Sequence, residues 1–222
     1  MGGNQRRRRP RSSTATRVAT HCGLAAAVVG LGAIVLATLV ASPETFTWRS
    51  AALSDMGRYE TRTFPLFNGG LVLSGLLGVP FGWRLWRASE TILERIGVAL
   101  LVVATVGLIG VGVFFLGHAD WYLERSFHGP AALTYFAAAP LAQLIYGTGA
   151  VLAGRLRRGL VSIWLGIVHP LAWLGWLLVL VAGGDAGAWF AVPEFVAAVA
   201  FGAWIGFLAV DLEGLSRTGE AA

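Results

Sequence analysis

Histidine and carboxylate occur together at His118-Ala-Asp120, followed by Glu124 and His128. Imidazole nitrogen and carboxylate oxygen are ligands that a zinc or manganese ion takes, and the same groups serve as general acid and base. His118, Asp120 and His128 are therefore the candidate metal set, and with them goes a membrane-embedded, metal-assisted hydrolase or transferase. Their spacing matches none of the stronger zinc signatures such as HExxH. Histidines in a short loop serve more often as plain polar residues, so no cofactor is expected. A second set, Ser54, Asp55, Asn68, His128 and Glu194, offers hydroxyl, carboxyl, amide and imidazole groups that suit the polar head of a ligand. Nucleotide-binding glycine loops and a GxSxG elbow are absent, and no residue is assigned a catalytic role.

The elements that must position these groups are six apolar runs, Cys22 to Ala41, Pro65 to Leu85, Ile96 to Gly117, Pro130 to Gly154, Leu160 to Val181 and Trp189 to Val210. Each approaches or exceeds the roughly 20 residues that carry a helix across a bilayer. The runs are continuously apolar, whereas barrel strands would alternate over about ten residues. The predicted fold is an all-α integral membrane protein with a six-helix transmembrane bundle over residues 22–212. A basic tail without fixed structure (1–21) and a short tail (213–222) flank it. The first run is too long for the apolar region of a signal peptide, about 7 to 15 residues.

All 17 basic residues are arginine. Thirteen of them fall on the side that holds both termini and only four, Arg49, Arg58, Arg62 and Arg125, on the other. Positive charge beside a span is retained in the cytoplasm, so both termini are expected there, with the protein in the plasma membrane. The net charge of +5 is explained by this bias and does not indicate nucleic-acid binding. One cysteine, Cys22, excludes an intramolecular disulfide. Membrane lipids are the expected partners, and a homo-oligomer stays open.

Most titratable groups other than arginine gather on the side opposite the termini, which points to an outward-facing site. The carboxylates on the terminal side, Glu90, Glu94, Asp211, Glu213 and Glu220, read as solvated ion pairs among arginines. Two strongly polar residues lie deeper. His169 sits roughly 15 Å into its span at 1.5 Å per residue. It reads either as a relay or pocket ligand, or as a neutral imidazole hydrogen-bonded between helices beside Pro170. Gln143 is expected to bridge helices, as is Asn68 from the second span, and Glu194 to snorkel to the outer interface. Small residues recur every fourth position at Gly70, Ser74, Gly78 and Gly82, and again at Ala198, Gly202 and Gly206, a pattern that lets helix backbones approach closely. Asp55, Asp120 and Asp185 recur at a spacing of 65, and Phe64, Phe127 and Phe190 at 63. Six spans joined by similar loops would give such spacings by accident.

At Leu53-Ser54-Asp55-Met56-Gly57, and again at Leu66-Phe67-Asn68-Gly69-Gly70-Leu71, the chain resembles the prokaryotic six-span membrane family known as DUF998, its halophilic-archaeal members above all. Gly112-Val113-Phe114 and His128 also fit, and the likeness runs from Cys22 to Val210. Members commonly carry proline where this chain has Phe115. The resemblance implies topology and no activity. A remoter likeness, to the Frag1/DRAM/Sfk1 group, rests on the S-D-x-G element and implies a lipid-associated role. Ser54 or Asp55 is expected to cap a turn, and Gly57 to take a backbone conformation closed to other residues. The leading expectation is a protein that binds a lipid or small amphiphile in an outward pocket. A metal-assisted enzyme and, more weakly, a small-solute transporter are the alternatives.

Overall fold

The structure is a computed structural model that describes residues 14–185 and 187–218. Six long helices, α1 (Thr14–Val40), α2 (Phe64–Ala88), α3 (Ile92–Val113), α4 (His128–Leu152), α5 (Leu156–Val181) and α6 (Ala191–Thr218), account for nearly all of it. All six are long and apolar enough to cross a membrane. Two short 3₁₀ turns, Leu53–Gly57 and His118–Asp120, interrupt the loops between α1 and α2 and between α3 and α4. The end bearing these loops is called outer below and the end bearing the termini inner, after the arginine bias.

Each helix packs on the next in sequence, and α1 closes the ring on α6. The centre is filled by Phe81, Leu85, Leu101, Tyr146, Trp204 and Leu208, all nearly inaccessible. Polar side chains tie the helices where lipid gives no hydrophobic drive. Gln143 of α4 donates to the Ala200 carbonyl of α6 at 3.0 Å, the bridge expected of it. Trp204 donates to Ser162 of α5 at 2.8 Å.

Several expectations are corrected. Helix α1 starts at Thr14, so Thr14 to His21, assigned to the tail, are helical. The arginines before Arg17 lie outside the described residues. Helix α3 stops at Val113, four residues early, because the backbone leaves helical geometry at Phe114 (φ −89°, ψ 60°) and then turns through Gly117 at φ +85° into the His118–Asp120 turn. The inner carboxylates are only in part solvated. Glu94 is fully buried, bonded to Arg155, and its side chain accepts from the backbone of Glu90 and Thr91 at 2.8 and 3.1 Å in a capping box that starts α3. Asp211 takes two hydrogen bonds from the buried Arg158 at 2.8 and 2.5 Å. His169 is buried against the Phe136 ring, yet among the described residues neither ring nitrogen has a hydrogen-bond partner, and the interhelical bond expected beside Pro170 is not found there.

Candidate functional site

Between α1 and α2 the polypeptide leaves the outer end and folds back onto the bundle. Leu53 and Met56 are apolar at the positions that meet Ile34, Phe46, Phe67 and Val111, and their burial seats the Leu53–Gly57 turn on the helices. Asp55 caps that turn: one carboxyl oxygen accepts from the Ala52 amide and the other from Arg58, both at 2.9 Å. Thr63, buried just before α2, donates to the Met56 carbonyl at 2.7 Å. Asn68 donates to the Gly57 carbonyl at 2.8 Å and to Phe64, one turn back, at 3.1 Å. Asp55 and Asn68 are thus builders of the loop.

Gly57 is needed for a reason other than the one expected. Its φ is not positive; a Cβ there would lie 2.7 Å from the Asn68 amide oxygen and 3.0 Å from the Phe67 ring. The SDxG element and the Asn68 that follows are parts of one contact.

The remaining three candidates meet across the gap that this loop roofs. Ser54, His128 and Glu194 line one cavity of about 50 Å³ with Ile34, Phe67, Leu71, Leu108, Val111, Tyr135, Phe136 and Ala198 among its apolar walls. Glu194 does not snorkel. It is buried in the first turn of α6, and its Oε2 accepts from the Leu53 amide at 2.6 Å, joining α6 to the loop. A carboxylate near a helix N-terminus is favoured by the helix dipole. His128 opens α4 and donates through Nδ1 to the Phe114 carbonyl at 2.8 Å; since a carbonyl only accepts, the proton is on Nδ1 and Nε2 keeps a lone pair. No further hydrogen bond of Ser54, His128 or Glu194 occurs among the described residues. The cavity therefore presents a hydroxyl, an imidazole nitrogen and a carboxyl oxygen with spare capacity, opposite apolar walls.

His118 stands apart from them. It is fully buried, its Nδ1 donates to the Phe115 carbonyl at 2.9 Å and its Nε2 accepts from the Phe127 amide at 3.4 Å, so both nitrogens are spent on the backbone. The adjacent Tyr122 donates to Val113 at the end of α3, and burial raises its pKa. Asp120 adds no ligand: among the described residues, no three His, Cys, Asp or Glu side chains are grouped to hold an ion. The structure thus does not bring His118, Asp120 and His128 together as a metal site.

Sequence reading missed the continuation of the cavity. A second void of about 30 Å³ adjoins the first, sharing Ile34, Leu71, Leu108, Tyr135 and Ala198 with it, and is lined further by Gly30, Leu31, Phe201 and Gly202. An open groove of about 390 Å³ shares Ala27, Leu31 and Gly202 with the second void and reaches Gly206, Phe207 and Val210. Together they form a seam between α1 and α6 over about 24 Å of α6, from Glu194 to Val210 at 1.5 Å per residue. The signal was present in the stripe Ala198, Gly202 and Gly206, which the pattern alone assigns to tight packing.

No curated protein and no solved structure matches the chain. A family model described as Protein of unknown function (DUF998) matches residues 24–211, which hold all three cavity-lining polar residues, the SDxG loop and nearly the whole bundle. The chain is a multi-pass membrane protein of that family.

Proposed function

We propose that this protein binds a lipid or other small amphiphile, its polar head at Ser54, His128 and Glu194 and its apolar chain along the seam between α1 and α6. The observation that carries the reading is that the two voids and the groove adjoin one another, each sharing lining residues with the next. A space of about 50 Å³ holds a few waters or a small head, since one water needs some 10–15 Å³. The rest of an amphiphile needs the seam. The head would bear hydrogen-bond donors, because Glu194 and the Nε2 of His128 are acceptors.

Native mass spectrometry of the full chain in detergent, with identification of copurifying lipids, tests the reading. Wild type is expected to retain an amphiphile that Glu194→Gln loses by about tenfold, as when one charge-assisted hydrogen bond of about 1.5 kcal/mol is removed. Glu194→Gln keeps an acceptor for the Leu53 amide and should fold. Equal retention by both proteins, or none by wild type extracted directly from membranes, sinks the reading.

A further inference from the structure

The inner end of the bundle has its own unsettled charge. Arg84 lies on α2 one turn before the helix ends, between Phe81 and Leu85, and is only 7% exposed. Its Nε is buried without a hydrogen-bond partner. No ion pair joins Arg84 to a carboxylate among the described residues, whereas two other arginines of the inner end are paired, Arg155 to Glu90 and Glu94 and Arg158 to Asp211. Arg158, on α5, is likewise buried, at 5% exposure, but its guanidinium is held by Asp211.

A guanidinium buried at 7% exposure with its Nε unpartnered among the described residues is a charge left uncompensated, and such a charge is costly unless an anion meets it. The planar fork of arginine matches the oxygens of phosphate. The depth suits one as well. Arg87 and Arg95 stack over Trp83 and Trp86 at the same end, at 5.8 and 5.9 Å from the ring centres, an arrangement typical of the headgroup zone.

We infer that Arg84 holds a phosphate group at the inner end of the bundle, carried on a lipid headgroup or arriving as free phosphate. This site is separate from the outer cavity and does not depend on it.

Thermal unfolding of the full chain in a neutral detergent tests the inference with three probes: inorganic phosphate, phosphatidylglycerol and, lacking phosphate, diacylglycerol. A bound anion raises the midpoint by mass action, here by about 4 °C at a probe concentration about tenfold above its Kd. Phosphatidylglycerol acting without inorganic phosphate identifies a lipid source, and inorganic phosphate acting alone identifies the free ion. Diacylglycerol should do nothing. Arg84→Gln should lose at least about three-quarters of the shift and Arg87→Gln, on the exposed face, should keep it. If Arg84→Gln fails to fold, Arg84→Lys, which keeps the charge and loses the fork, should need about tenfold more probe. The inference fails if neither phosphate-bearing probe moves wild type by more than about 1 °C, if diacylglycerol acts equally, or if the Arg84 variant that folds responds as wild type.

Discussion

The two ends of the bundle use their charged groups in opposite ways. At the inner end carboxylate meets guanidinium: Arg155 closes on Glu90 and Glu94, Arg158 on Asp211. At the outer end Glu194 and His128 each spend one atom on the backbone and face a cavity with the other. Paired charges lock helices in place, whereas charges satisfied only in part by backbone keep the capacity to bind. Under the proposed function the inner ion pairs serve stability and the outer groups serve recognition.

Breaking the inner lock should produce the largest loss. Arg155→Ala strands the fully buried Glu94 and is expected to cost about 3–5 kcal/mol, read as a fall in the thermal midpoint. Adding Glu94→Gln should recover more than half of it. A loss below about 1 kcal/mol would erase the contrast between the ends.

A second contrast sharpens the first, since the small-residue stripes of α2 and α6 look alike in sequence and differ in space. A Cβ at Gly70 would stand 2.1 Å from the Ala33 Cβ, so α1 and α2 touch through their backbones there. At Gly206 the nearest atom would be 3.5 Å away, and at Gly202 only the flexible Leu31 side chain intrudes. Gly70→Ala should therefore destabilise by about 2 kcal/mol through overpacking, measured by the same melt.

Next comes the roof of the cavity. Asn68→Ala removes the bonds to Gly57 and Phe64 and should cost about 1–2 kcal/mol. Limited proteolysis between residues 53 and 62 should quicken, with weaker amphiphile retention as the loop loosens. Smallest in stability is Gly202→Ala, expected within about 0.5 kcal/mol of wild type because Leu31 can give way. Its effect should fall on the copurifying amphiphile instead. A large stability loss at Gly202 would mean that the seam is a packed interface.

Much of this was legible in the chain. Six runs of apolar residues dictate six spanning helices, because an unpaired backbone group in lipid costs several kcal/mol. The arginine distribution predicts which end lies inside, and the SDxG and FN elements marked the loop that roofs the cavity. Of the five outer candidates, Ser54, His128 and Glu194 proved to share a space and Asp55 and Asn68 to build its roof. Residue type could not separate these roles, since the same carboxylate caps a turn at Asp55 and lines a void at Glu194.

What the sequence determined by itself is thus whatever depends on composition along one segment: span count, helical class, charge bias and turn chemistry. Tertiary structure decided which stripe packs and which leaves a seam. It also decided that His118 is spent on backbone carbonyl and amide, that Glu94 is buried and that Arg84 meets no carboxylate among the described residues. The physical reason is that burial and pairing are relations between residues far apart in sequence: 141 positions separate Leu53 from Glu194. Only the closing of α1 on α6 brings them within one hydrogen bond.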